Sequence, residues 1–195
     1  MRSFGYWLRY GIVVSFAVLL SACSGMKPEQ FADAEPKLVL EEYFEGKVYA
    51  WGIFEDRFGQ VKRQFQVDID GRWNGKQLVL DEAFLFDDGE RSRRVWTITK
   101  HSNERYSGTA ADVEGEAEGI ASGNALNWRY QMMLKVGDGE WQVSFDDWMF
   151  LQPGGVMVNR AVVSKWGIEL GQVTLFFARG ETMRDAPFDL QSVTQ

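Results

Sequence analysis

The chain has 195 residues, with 21 Lys and Arg against 28 Asp and Glu, a formal charge of −7, one histidine and one cysteine. Such an acidic balance is a poor match for nucleic acid or an anionic lipid surface. A single cysteine excludes an intramolecular disulfide, and a single histidine leaves no ordinary zinc or copper ligand set. No glycine-rich phosphate loop is present, and no cofactor or metal is expected.

Arg2 and Arg9 are the only charges before Lys27, and an apolar run from Tyr10 to Leu20 separates them from Cys23. Eleven residues match the core of a signal peptide and fall short of the roughly 20 that a membrane-spanning helix needs. Leu20-Ser21-Ala22-Cys23 follows directly and resembles a lipobox: cleavage before Cys23, diacylglycerol on its thiol. The expected divisions are a lipoprotein signal peptide at 1–22, a lipidated N-terminus and tether at 23–36, a β-barrel domain at 37–180 and a C-terminal tail at 181–195. The mature chain keeps 19 basic and 28 acidic residues, a formal charge of −9. Ser24, which is not Asp, points to outer-membrane sorting facing the periplasm by way of the lipoprotein-sorting machinery; the inner membrane is the weaker alternative.

From about residue 47 the pattern is alternation with period two. Leu126, Trp128, Tyr130, Met132 and Leu134 interleave with Asn127, Arg129, Gln131, Met133 and Lys135, the mark of a half-buried strand. Trp141, Val143, Phe145, Met149 and Leu151 repeat it, as do Val61, Phe65, Val67 and Ile69. Turn signals such as Asn74-Gly75, Asp87-Asp88-Gly89, Pro153-Gly154-Gly155 and Trp166-Gly167 separate the runs. Strands are predicted at 47–57, 61–73, 76–86, 91–100, 104–110, 113–121, 125–136, 140–151, 156–165 and 168–179, with short helix only at 29–34 and 38–44. Ten long strands in meander order predict a closed, all-β, antiparallel up-and-down barrel, lipocalin-like or fatty-acid-binding-protein-like, because closure removes exposed edges. A barrel of that size has room for a ligand. Gly108, Gly115, Gly119 and Gly123 mark bending or close backbone approach.

Candidate chemistry is sparse. His101 sits among Lys100, Ser102 and Asn103 in a polar turn and reads as a surface residue. Asp146 and Asp147 are adjacent on a strand, so they face opposite ways. Asp68-Ile69-Asp70-Gly71 departs from a calcium loop at Arg72 and Trp73. Asp112, Glu114, Glu116 and Glu118 occupy one strand face, a solvated edge or a weak cation site. The informative residues are charges in line with greasy neighbours: Arg63 with Val61, Phe65 and Val67; Arg160 with Val156, Val158 and Val162; Asp147 with Phe145 and Met149. A buried charge must be paired. They read either as an internal ion pair or as a site for an acidic headgroup, since a guanidinium grips carboxylate or phosphate by two bonds. Tyr130, Tyr49 and Trp128 complete the candidate ligand-binding set. The same charges oppose a transmembrane barrel, in which that face would meet lipid.

The segments Ala50-Trp51-Gly52-Ile53-Phe54-Glu55-Asp56-Arg57, Arg93-Arg94-Val95-Trp96-Thr97, Gly123-Asn124-Ala125-Leu126-Asn127-Trp128-Arg129-Tyr130, Asp146-Asp147-Trp148-Met149 and Val173-Thr174-Leu175-Phe176-Phe177 resemble a family of Gram-negative lipoproteins, domain of unknown function three-eight-three-three. The resemblance covers the signal peptide and nearly the whole mature domain. It implies a lipocalin-like fold, assigns no activity or catalytic residue, and places members' genes near a cyclopropane-fatty-acid-synthase-like gene.

The reading is a membrane-anchored periplasmic lipoprotein, not an enzyme, binding a fatty acid, lysolipid or similar hydrophobic ligand inside its barrel. The alternative is a filled barrel serving as a structural or assembly partner of another envelope protein. A monomer is expected.

Overall fold

The computed structural model describes residues 25–136 and 139–180. The predicted lipobox, Leu20 to Cys23, and the tail at 181–195 lie outside the described residues.

Ten antiparallel strands form one closed barrel: β1 (Gly46–Asp56), β2 (Val61–Trp73), β3 (Gln77–Phe86), β4 (Arg91–Lys100), β5 (Arg105–Thr109), β6 (Val113–Ser122), β7 (Ala125–Val136), β8 (Gly139–Leu151), β9 (Val156–Lys165) and β10 (Ile168–Arg179). Each strand pairs with the next, and β1 closes on β10 from Val48 opposite Arg179 to Asp56 opposite Gly171. The predicted ten-strand meander is therefore the observed fold, and the strand limits agree within about two residues.

Alternation builds the wall. Val48, Val67, Ile69, Leu80, Trp96, Ile98, Leu126, Trp128, Met157 and Phe177 face inward and form one buried cluster. Outward at the same heights stand Asp81 with Arg93, and Arg129 with Asp146 (Nε to Oδ1, 3.2 Å). Glu114, Glu116 and Glu118 also face out and are exposed. Facing hydrocarbon, mid-strand charges of this kind would cost about 2–4 kcal/mol each at midplane for Arg or Lys.

Interior aromatics need clearance on the neighbouring strands. A Cβ at Gly119 would lie 2.3 Å from the Trp128 indole, and one at Gly108 would lie 2.7 Å from it. These two glycines let the ring lie flat against β5 and β6. The register of β6 on β7 shifts between Glu114 and Glu118, where Gly115 has φ +68°, so this glycine takes the left-handed conformation at an irregularity.

The two poles differ. The hairpins β1–β2, β3–β4, β5–β6, β7–β8 and β9–β10 turn at one pole, the mouth. At the other lies a short helix, α1 (Leu40–Phe44), whose Leu40 and Phe44 are only 2% and 3% exposed and close the floor. Four groups tie α1 down. The Tyr106 hydroxyl donates to Glu41 Oε2 at 3.0 Å, Lys100 pairs with the same carboxylate, and the Tyr43 hydroxyl lies 3.1 Å from the carbonyls of Gly155 and Phe177. Burial opposes the Glu41 charge, but the bonds from Lys100 and Tyr106 outweigh it and hold this pKa below the usual carboxylate range. Ahead of α1, a 3-10 turn (Pro28–Phe31) lies on the outer wall. Its Phe31 ring meets Trp148 and Phe150 at centroid distances of 5.8 and 5.2 Å. Part of the expected tether is thus packed against the barrel.

Candidate functional site

Above α1 the barrel encloses a cavity of about 650 Å³. Its walls are mainly apolar. Trp96 meets Trp128 edge-on at 5.8 Å and Tyr130 at 5.4 Å, and Tyr130 stacks on Phe145 at 4.9 Å, the geometries that aromatic quadrupoles favour. At the mouth the lining includes Arg63, Phe86, Lys135, Trp141 and Leu170, and the exposure of Lys135 and Trp141 shows the cavity opening there. A volume of this size lies within the 300–1,000 Å³ typical of ligand pockets.

A polar belt crosses this apolar space about halfway up. Glu82 on β3 stands opposite Arg94 on β4, and both line the cavity with Tyr130 of β7, Asp147 of β8 and Asn159 of β9. Arg94 directs Nε and Nη2 to Asp112 Oδ2, at 3.0 and 2.8 Å. Asn159 and Tyr130 both donate to Asp147. Burial pushes the Asp147 carboxyl up to about 6, with the Asn159 bond opposing the shift. Burial also pushes Glu82 up to about 7, with the charge of Arg94 opposing. The Glu82 side chain retains some accessible surface because it faces the cavity rather than bulk solvent. Tyr130, buried beside Asp147, is held well above the ordinary phenol range.

The predicted ligand-binding residues separate into two groups. Asp147, Tyr130 and Trp128 line the interior together, while Arg63 stands at the mouth. Arg63 does not pair with Asp147. Its Nη2 lies 3.0 Å from Asp88 and 2.5 Å from Glu90, and its guanidinium sits 3.7 Å above the Phe86 ring. Arg160 and Tyr49 need correction. Arg160 is exposed on the outer wall, where its Nε donates to Gln172 at 2.5 Å. The inward residues of β9 are Met157, Asn159, Ala161 and Val163, so the valines that flank Arg160 face outward with it. Tyr49 is buried on the outer side of β1, because the small Val48 and Ala50 take the inward positions. The predicted headgroup pair of Arg63 and Arg160 therefore does not form.

Glu82 and Arg94 were missed, although the sequence signal was the one that singled out Arg63 and Asp147. Glu82 lies in line with Leu80, Phe84 and Phe86, and Arg94 with Trp96 and Ile98.

His101 lies 2.7 Å from Ser107 Oγ through Nε2, and Ser107 donates to Glu116 at 2.6 Å. The acid holds the hydroxyl and not the imidazole, so this trio lacks the order of a catalytic triad. Among the described residues no group of three or more His, Cys, Asp or Glu is placed to hold a metal ion.

A family model described as "Protein of unknown function (DUF3833)" matches residues 17–179. Among curated proteins none matches the chain in sequence. Among solved structures, the S-type phycobiliprotein lyase CPES from Guillardia theta is similar, with a TM-score of 0.53 over 79% of this chain and 98% of that one, at 10% identity. At that identity the likeness is one of fold, and the fold is lipocalin-like.

Proposed function

The chain belongs to the DUF3833 family, and from the cavity that its barrel encloses we propose that it is a binding protein for an amphiphile with a long apolar part, anchored to a membrane through an acylated Cys23. The observation that carries this reading is the combination of about 650 Å³ of open interior, apolar walls and one sparse polar belt. Ligand pockets have this composition because apolar contact supplies affinity and a few polar groups fix orientation. A filled barrel serving only as scaffold would have no such space, so the assembly-partner reading is the weaker one.

Binding without chemistry is the reading for the interior. The similar solved structure is named as a lyase, but the likeness lies in the fold, and function belongs to sites rather than folds. Here the belt supplies groups that hold and orient. The Lys27–Gln195 chain, purified after export and extracted into organic solvent, is expected to release a bound amphiphile detectable by mass spectrometry. The delipidated protein should then take up a neutral lipophilic fluorophore with quenching of Trp96 and Trp128. Absence of both extracted ligand and uptake would overturn the proposal.

A further inference from the structure

The side-chain hydrogen bonds of the polar belt to carboxylates go to groups other than Glu82. Arg94 reaches Asp112 with Nε and Nη2, while Asn159 and Tyr130 serve Asp147. Glu82 accepts no hydrogen bond from a described side chain, and it projects into the cavity between Leu80 and Phe84, beside Ile69 in register. A carboxyl group in apolar surroundings loses several kcal/mol of hydration, which the charge of Arg94 offsets only in part. Such a group is stable in place when something donates to it.

The local charges decide which donor fits. The groups facing Glu82 are Arg94 from β4, Tyr130 from β7, Asp147 from β8, and Asp112, which follows β5 and holds Arg94. Three carboxyl groups therefore meet one guanidinium, which gives its hydrogen bonds to Asp112 while its charge also acts on Glu82. An incoming carboxylate or phosphate would be repelled. An ammonium group would supply the missing positive charge and the missing donors together. Arg63 and Lys135, the other cations on the lining, stand at the mouth, where Asp88 and Glu90 hold Arg63.

We propose that Glu82, with Asp147 beside it, seats a hydrogen-bond-donating cationic head, so that the ligand is a long-chain amphiphile ending in an amine rather than an acid. The assignment rests on the reading of the barrel as a carrier and names the chemistry of its cargo. The Lys27–Gln195 chain is loaded with N-phenyl-1-naphthylamine, a neutral probe, and challenged at pH 8 with dodecylamine, dodecanol and dodecanoate. Dodecylamine is expected to displace the probe at a concentration at least tenfold below that of dodecanoate, with dodecanol between them. Glu82→Gln keeps the shape and removes the charge. It should erase the advantage of the amine over the alcohol, bringing the two displacing concentrations together. Dodecanoate equal to or better than dodecylamine, or an unchanged ranking in the folded Glu82→Gln variant, would overturn the assignment while leaving the carrier reading intact. Failure of the probe and all three amphiphiles to bind would overturn both. If Glu82→Gln does not fold, the wild-type ranking decides alone.

Discussion

Glu82 makes the stability of this protein depend on pH in a direction opposite to the usual acid denaturation. Its carboxyl ionises near 4.5 when exposed and at about 7 in the barrel. Between those values the unfolded chain has released a proton that the folded chain keeps. The contribution of Glu82 is thus complete below the unfolded pKa and is lost as pH rises through the folded one. Asp147, at about 6, acts in the same sense over a narrower window. Glu82→Gln removes the larger effect. The variant should gain on the order of 2–3 kcal/mol relative to wild type at pH 8 and little at pH 4.5, as measured by urea unfolding at both values. An equal gain at the two pH values would show that Glu82 is not buried as described.

Trp166 gives a second expectation at this scale. It is 89% exposed, and its φ of +53° is the left-handed conformation in a β9–β10 turn where Gly167 is also positive at +77°. Two-residue turns of this kind favour Asn followed by Gly, and a bulky residue there costs about 1–3 kcal/mol. Lys165 lies 4.7 Å from the indole centroid, a contact that partly offsets the strain. Trp166→Asn should stabilise the chain by about 1 kcal/mol in the same urea titration. A loss of stability would mean that the indole packs against something more than Lys165.

Elements explain why some residues were legible in the sequence and others were not. On β2, β3, β4, β7 and β8 one face is plainly apolar, so alternation fixes which residues look inward, Glu82 and Arg94 included. β9 is apolar on both faces: Val156, Val158 and Val162 on one, Met157, Ala161 and Val163 on the other. A period of two cannot choose between them, and Arg160 was assigned to the wrong one. β1 misleads through size. Its large residues Tyr49, Trp51 and Ile53 alternate with Val48, Ala50 and Gly52, and the small set faces inward because the Phe65 ring needs the space over Gly52, where a Cβ would lie 2.4 Å from it. Spatial pairing across strands decided both cases, and alternation along one strand carries no record of it.

The floor depends on one close approach between elements. A Cβ at Gly71 on β2 would lie 1.7 Å from the Phe44 carbonyl oxygen. Gly71→Ala must therefore displace α1, and overpacking of this kind costs about 1–3 kcal/mol. Thermal unfolding should show a lower midpoint, and the neutral probe should exchange faster because the second pole of the cavity is opened. An unchanged exchange rate would show that α1 is not the seal.

For the molecule as a whole the main expectation concerns its address. Two or three acyl chains on Cys23 would hold the protein to a bilayer far more firmly than one. Cys23→Ala should move the protein from the membrane to the soluble fraction of the cell envelope and abolish labelling by radioactive palmitate. Continued sedimentation with membranes would show that the barrel carries its own attachment.

The two poles of the barrel give that address a direction. The 3-10 turn at Pro28–Phe31, α1, the start of β1 and the end of β10 all gather at the floor, and the mouth lies at the far end. From Cys23 to Pro28 the chain can stretch roughly 18 Å, less than the roughly 33 Å that a ten-residue strand spans. A protein tethered by Cys23 therefore holds its opening away from the leaflet that anchors it. Its traffic would run across the gap, toward a soluble carrier or the opposing membrane, and the anchoring bilayer would serve as a mooring rather than as the reservoir from which the barrel fills.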